Sequence, residues 1–502
     1  MIKLKLSVCV GLLASSINLF AQDPAAQTYG KLITESDLKE NLTILASDAF
    51  EGRETGKRGQ KIAAAFVRAH FEEIGLTGPV DGGYFQSVEL FTSIPGEIYV
   101  KSGQSKFNNF EDVVYYGSTD SNGEVTVPTV FVGKGRKEDF DQVSVDGKAV
   151  VVFVGKDENS RAPVSIAREK GAKIVFVVNP DPADFTELRS QFKGFLSGGS
   201  LSVENPKTKV SKSGGTFFVS TDVATKILNT TLDKLIKAAD ADLKKAPLKK
   251  LKPGSVTYKT SMDVKVLKSE NVLGFLEGTD KKDEIVIITS HYDHIGISKS
   301  GEGDRINNGA DDDGSGTVSV MQIAKAFAQA KKEGKGPRRS ILFMTVTGEE
   351  KGLLGSDYYT QHPIFPLDKT VVDLNIDMVG RRDPEHKDSA PYVYVIGSDK
   401  LSAELHTLSE ATNKATTNLI FDYTYNSEGH PERIYYRSDH WNFAKNNIPI
   451  IFYFDGIHAD YHKPSDEVDK IEFDLLAKRA QTVFFVAWEI ANRESRIVAD
   501  KK

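Results

Sequence analysis

The 502 residues exceed what one hydrophobic core ordinarily organises, so two structural units are expected. Hydrophobic residues make up 39% of the chain and charged ones 27%, a balance that excludes a disordered or fibrous protein. With 64 basic against 70 acidic side chains and a formal charge of -6, the chain lacks the basic footprint of a nucleic-acid partner.

In chain order, Met1-Ile2-Lys3-Leu4-Lys5 is basic and runs into an apolar stretch over 6–20, with Ala21-Gln22 at a cleavage point. This is the pattern of a secretory signal peptide over 1–21, too short and wrongly flanked for a membrane anchor. Export to the periplasm or the extracellular space is expected. The single cysteine, Cys9, falls inside that leader, so the mature chain has no thiols and a zinc site would use His, Asp and Glu.

Between 31 and 76 the pattern is helical: Ser36 is placed to cap a helix running to Ala46, and 57–74 repeats apolar residues at three- and four-residue spacing. From about 118 to 249, short β-rich runs at 127–132, 149–154, 174–178 and 216–219 alternate with Gly, Asp and Lys turns. Helical patterns at 164–170 and 222–239 belong to the same region. The Lys-rich stretch 244–252, ending Pro253-Gly254, reads as a solvated connector. Beyond it strand and helix alternate, with helices expected at 317–330, 401–412 and 473–491, as in a parallel sheet with crossover helices. The predicted organisation is an α/β catalytic domain built from 22–117 and 256–502. Its mixed, largely parallel sheet lies between helices, and a β-rich domain at 118–255 interrupts it.

Four apolar runs in the last part carry polar residues at their ends. Ile285-Val286-Ile287-Ile288 leads to His291-Tyr292-Asp293-His294, and Ile341-Leu342-Phe343-Met344 leads to Gly348-Glu349-Glu350. The strand-like run 371–376 ends at Asp377, and 449–454 precedes His458 and His462. Parallel strands share one carboxyl edge, where ligands bind, so these residues should converge. His291 is a natural neutral ligand, and the Asp293 carboxylate two residues on is placed to take its second ring proton. His294 reads as a supporting or structural histidine.

Asn307-Asn308-Gly309-Ala310-Asp311-Asp312-Asp313-Gly314 precedes a helix, and three adjacent carboxylates repel unless cations neutralise them. A calcium loop fails on spacing, because Gly309 and Val320 stand where acids are required. A solvated acidic turn capping the helix at Thr317 is the plain alternative. Of Glu349 and Glu350, one can bind metal while the other handles protons. Two neutral histidines and three carboxylates bring three negative charges against four from two zinc ions, and one bridging hydroxide closes the sum. Five protein ligands suit two zincs sharing one carboxylate.

Together these motifs resemble the co-catalytic dizinc aminopeptidases of metallopeptidase family twenty-eight. The resemblance takes in the lead-in Leu45-Ala46-Ser47-Asp48 and Glu51-Gly52-Arg53-Glu54-Thr55-Gly56. Within the insertion, Val130-Phe131-Val132-Gly133 and Gly147-Lys148-Ala149-Val150-Val151-Val152 are similar to a protease-associated domain. The resemblance implies that Asp312 bridges two zinc ions, with His291 and Asp377 completing one site and Glu350 and His462 the other. It also implies that Glu349 is the general base, that Asp293 orients His291 and that Tyr461 donates to the oxyanion. One departure is Asp313, which stands where the family commonly has Asn. The implied reaction is removal of the N-terminal residue from peptides with free N-termini. A carboxypeptidase or amidohydrolase of the same family is the alternative, with Arg381, Arg382, Arg433 or Arg437 to meet a terminal carboxylate. A non-catalytic binding module is the reading from another class.

Overall fold

Near-continuous apolar runs become strands buried on both faces, the arrangement parallel sheets require. The computed structural model describes residues 23–501 apart from 156–157, 180, 197–198, 209–214, 242–245 and 253. The expected leader at 1–21 and part of the Lys-rich connector lie outside the described residues. The chain divides into two compact units, one formed by residues up to Val88 together with those from Ser269 onward, the other by Glu89–Lys268.

The first unit contains β1 (Met262–Leu276, from Ser269), β2 (Lys281–His291), β3 (Arg339–Val346), β4 (Thr370–Ile376), β5 (Tyr392–Ile396), β6 (Ile420–Asp422) and β7 (Ile450–Phe454). They lie in the order β6-β5-β7-β4-β2-β3-β1. The central four, β7-β4-β2-β3, are mutually parallel, while β1 runs antiparallel to β3 and β5 antiparallel to β7. Every residue of β3, β4 and β7 is buried. Alternation along the strands divides the core in two. Val286, Ile288, Ile341, Phe343 and Leu374 pack on one side. Ile285, Ile287, Leu342 and Met344 pack on the other, against Tyr359 and Phe443.

The longer helices are α1 (Glu35–Leu45), α2 (Arg58–Glu73), α3 (Gly316–Lys332), α4 (Ala403–Ala415) and α5 (Phe473–Asn492). Phe327 of α3 and Phe484 and Trp488 of α5 form one aromatic cluster on the first face. The cap of α1 is Thr34 rather than Ser36: the Asp37 amide donates to Thr34 Oγ1 at 3.1 Å, which puts Ser36 inside the first turn.

The second unit holds a sheet in the order Ser105–Asn108, Tyr99–Ser102, Ser255–Lys259, Val125–Phe131, Ala149–Phe153, Ile174–Val178, Thr216–Val219, Val113–Tyr116. Its four middle strands from Val125–Phe131 to Thr216–Val219 are parallel. The helix expected over 222–239 is two helices, Thr221–Ile227 and Leu232–Asp240. Asn229 between them takes a φ of 46°, a left-handed conformation that Asn tolerates and a helix interior does not. Among the described residues, no helix is long and apolar enough to cross a membrane.

Candidate metal centre

The parallel arrangement brings the carboxyl ends of β2, β3, β4 and β7 to one edge, and each delivers its polar residue there. His291 is the last residue of β2, and Asp377 follows β4 directly. After β3 the chain turns through Gly348 at a φ of 68° into the short Glu349–Lys351 helix. Asp312 comes from the loop that opens α3, where the Asp312-Asp313 peptide is cis. His462, at a φ of 57°, comes from the segment after β7.

Asp312 is the centre of the cluster. Its Oδ1 lies 3.2 Å from His291 Nε2 and its Oδ2 3.1 Å from His462 Nε2, so each carboxylate oxygen faces a different imidazole. Asp377 Oδ1 is 3.5 Å from His291 Nε2, and Glu350 Oε2 is 3.1 Å from His462 Nε2. Glu349 sits beside both groups, its Oε2 3.9 Å from His291 Nε2. Tyr461 stacks on His462 with ring centroids 3.9 Å apart. His291, Asp312, Glu349, Glu350, Asp377, Tyr461 and His462 therefore meet in one place.

Two contacts, those of His291 and His458, differ from what the sequence suggested. His291 Nδ1 meets the main-chain carbonyl of Asp293 at 3.0 Å, whereas the Asp293 carboxylate stands 3.9 Å away. That carboxylate instead accepts from Thr55 Oγ1 at 2.5 Å and from the Glu349 amide at 3.2 Å, linking the lead-in motif to the turn after β3. His294 has the supporting position expected of it: its Nδ1 is 2.6 Å from Glu350 Oε1 and 3.8 Å from Asp312 Oδ2. His458 faces away from the cluster, with Nε2 3.2 Å from Asp311 Oδ2.

Asp313 falls within ligand distance of His291 and Asp377. Its oxygens, however, are occupied by backbone donors: Gly316 N at 2.8 Å, Met378 N at 3.1 Å and His291 N at 3.2 Å. This accounts for the carboxylate at this position. It ties together the residues flanking Asp312, Asp377 and His291, and an amide would turn a donor towards one of those N–H groups.

Two more residues complete the frame. Ser438 Oγ donates to Asp377 Oδ2 at 2.6 Å, leaving Oδ1 directed at His291. Arg53 is fully buried and donates to the carbonyls of Tyr292 (2.9 Å), Leu45 (3.2 Å), Asn308 (2.6 Å) and Gly309 (2.9 Å). It thereby holds the Asp312 loop against the end of β2. Neither role had a sequence signal beyond the position of Arg53 in the lead-in motif.

Electrostatically the cluster calls for cations. Burial alone would lower the His462 imidazole, but bonds to Asp312 and Glu350 outweigh it and hold it up at about 10. Burial raises the Glu349 carboxyl well above its usual range; His291 opposes this, and Asp377 and Glu350 reinforce it. Glu350 is pulled down to about 2, because His294 and His462 overcome burial and the Asp312 charge. Buried carboxylates at this density are stable only when paired or coordinating. Two imidazoles and three carboxylates, with no thiolate, form a donor set that zinc accepts.

The cluster opens into a small cavity of about 30 Å³. His291, Asp312, Glu349 and Asp377 line one side, Met378, Ile434, Phe452, Phe454 and Ile457 form an apolar wall, and Tyr461 and Arg437 complete it. Burial raises the Tyr461 phenol far above its ordinary value, and Asp312, Glu350 and Glu349 push the same way, so it remains a neutral donor.

Comparison with known proteins bears on the family of this domain. Aminopeptidase YwaD of Bacillus subtilis is 26% identical over 242 residues, 47% of this chain and 47% of that protein. Probable glutamate carboxypeptidase AMP1 of Arabidopsis thaliana is 24% identical over 350 residues, 62% of this chain and 47% of that protein. The alignments span about half the length of these curated relatives. The solved structure of an aminopeptidase from Aneurinibacillus sp. strain AM-1 superposes with a TM-score of 0.53 at 20% identity, covering 95% of this chain and 98% of that one, which shows a shared fold. Residues 271–487 match Peptidase family M28, a span that contains every residue of the cluster from His291 to His462. The chain carries a peptidase family M28 domain.

Proposed function

We propose that this protein is an exported zinc-dependent aminopeptidase that hydrolyses the N-terminal residue from peptides with free N-termini. The observation that carries the reading is the orientation of Asp312, one oxygen facing His291 and the other His462. His291, Asp312 and Asp377 would hold one zinc ion, and Asp312, Glu350 and His462 a second. When bound, zinc supplies Lewis acidity that polarises a carbonyl and lowers the pKa of water.

The chain's own groups supply the rest. Glu349 takes the proton of the attacking water and passes it to the departing amine, because it lies beside the ligand cluster. Tyr461, a neutral phenol on the cavity wall, donates to the carbonyl oxygen as it becomes negative. A protonated α-amine is drawn to the carboxylates of Asp377 and Glu349, and an acetylated terminus lacks that charge. The apolar wall receives the side chain. Export rests on the pattern of residues 1–21, and the protease-associated character of the insertion rests on its sequence motifs.

The test is hydrolysis of aminoacyl-nitroanilides beside their N-acetylated forms, with chelator and with zinc returned. Cleavage of free-amine substrates only, lost on chelation and restored by zinc, is the expected result. Equal cleavage of the acetylated substrates defeats the aminopeptidase assignment. One observation favours a second reading: Arg437 lines the cavity and could meet a terminal carboxylate. In a carboxypeptidase, acetylated dipeptides with a free carboxylate would be cleaved and their amides spared.

A further inference from the structure

The segment that supplies His462 also holds the loop that supplies Asp312. Four residues after His462, the fully buried carboxylate of Asp466 accepts from the Asp311 amide at 3.2 and 3.1 Å on its two oxygens. Its Oδ2 also accepts from the Asp312 amide at 3.1 Å, and the Asp466 carbonyl accepts from the Ala310 amide at 3.1 Å. The same loop is held on its other side, where Asp311 Oδ1 accepts from the Gly380 amide at 2.7 Å, three residues past Asp377. Asp312 itself has a non-helical backbone, with φ -99° and ψ 102°, so no helix ladder fixes its direction. The bond from its own amide to Asp466 holds the backbone at this residue, while Arg53 reaches its carbonyl from the other side.

Resting on the dizinc reading above, we propose that Asp466, touching neither substrate nor metal, is a positioning residue. It fixes the Asp312 carboxylate between the two imidazoles by holding the amides of Asp311 and Asp312. A carboxylate suits this task because both of its oxygens only accept, and charge-assisted bonds to amides are stronger than neutral ones. The amide of Asn would present a donor to one of these N–H groups. The direction of the bridging carboxylate and the position of His462 are thus set by one short stretch of chain.

The experiment compares full-length wild type, Asp466→Asn, Asp466→Glu and Asp383→Asn. Asp383 is a control: a buried carboxylate of the same unit, bonded by Tyr394 and His386, away from the cluster. Zinc affinity is measured by competition with a chromophoric chelator, the thermal midpoint on chelated protein, and kcat and KM separately on leucyl-nitroanilide. Asp466→Asn is expected to weaken zinc binding about 10- to 100-fold, as loss of a group supporting a ligand does. Its kcat should fall with KM little changed, while the chelated midpoint drops no further than in Asp383→Asn, which keeps wild-type zinc affinity. If Asp466→Asn does not fold, Asp466→Glu decides, since its longer side chain retains the charge but displaces the amides. Wild-type zinc affinity in either folded Asp466 variant, or an equal loss in Asp383→Asn, overturns the inference alone. A wild-type protein that binds no zinc overturns the dizinc reading and this inference with it.

Discussion

Replacing Glu349 by Gln separates proton transfer from metal binding. The change conserves volume and removes only the ability to take a proton. Glu349 lies outside the cluster in which Asp312 faces His291 and His462, and its nearest cluster distance is 3.9 Å to His291 Nε2. Both metal positions should therefore survive. General-base catalysis contributes about 10²- to 10⁴-fold, so kcat should fall by that factor, equivalent to about 3 to 5 kcal/mol of barrier. The pH profile carries a second signature. The active base is the ionised form; in the metal-free protein burial, with Asp377 and Glu350, raises its pKa against the opposing effect of His291. Wild-type kcat/KM should rise with pH as this base ionises, and the limb should be missing in the Gln variant. The assay is steady-state hydrolysis of leucyl-nitroanilide from pH 5 to 9, with zinc content measured on the same samples. Full activity, or an unchanged acidic limb, removes Glu349 from the role.

Asp312→Asn is expected to lose both zinc ions together, because one carboxylate faces both imidazoles; unchanged zinc by elemental analysis rejects the shared position. Arg53→Lys leaves at least one of the four carbonyls held by the guanidinium without a donor. Each orphaned buried acceptor costs about 1–3 kcal/mol, so denaturant unfolding of the chelated variant should show at least that loss, and a change under 0.5 kcal/mol contradicts it. His440 is fully buried, and burial depresses its imidazole from 6.5 to about 3, the Tyr435 carbonyl opposing. The unfolded chain takes up a proton below pH 6.5 while the folded chain does not, so stability is full above that pH and falls as pH drops. At pH 5 the loss is about 2 kcal/mol relative to pH 7, and His440→Phe should flatten the difference by that amount in chelated protein. An unaltered pH slope in His440→Phe refutes it.

The catalytic sheet was legible because its central strands are buried on both faces and so read as unbroken apolar runs. Ile341 to Met344 is such a run, Val371 to Ile376 departs from it only at Asp373 and Asn375, and a polar residue closing the run marks the carboxyl edge. The strands between 99 and 116 were not legible, since their pairing is decided by distant residues: Lys101 pairs with Thr257, and Val113 with Val219. The break at Asn229 turns on one left-handed residue inside an otherwise continuous helical pattern. Around the metal centre, ligand types at strand ends were visible, whereas the groups that aim them were not. Arg53, Asp313 and Asp466 act on backbone amides and carbonyls, which every residue carries, so no side-chain pairing announces them. The Nδ1 partner of His291 illustrates the same limit. The sequence suggested the carboxylate of Asp293, and the contact is made by its carbonyl.

The most direct test of the dizinc account is anomalous diffraction at the zinc edge from crystals of chelated protein soaked in zinc. The account predicts two peaks flanking Asp312, one on the side of His291 and Asp377 and one on the side of His462 and Glu350. A single peak, or zinc bound only away from Asp312, would contradict it.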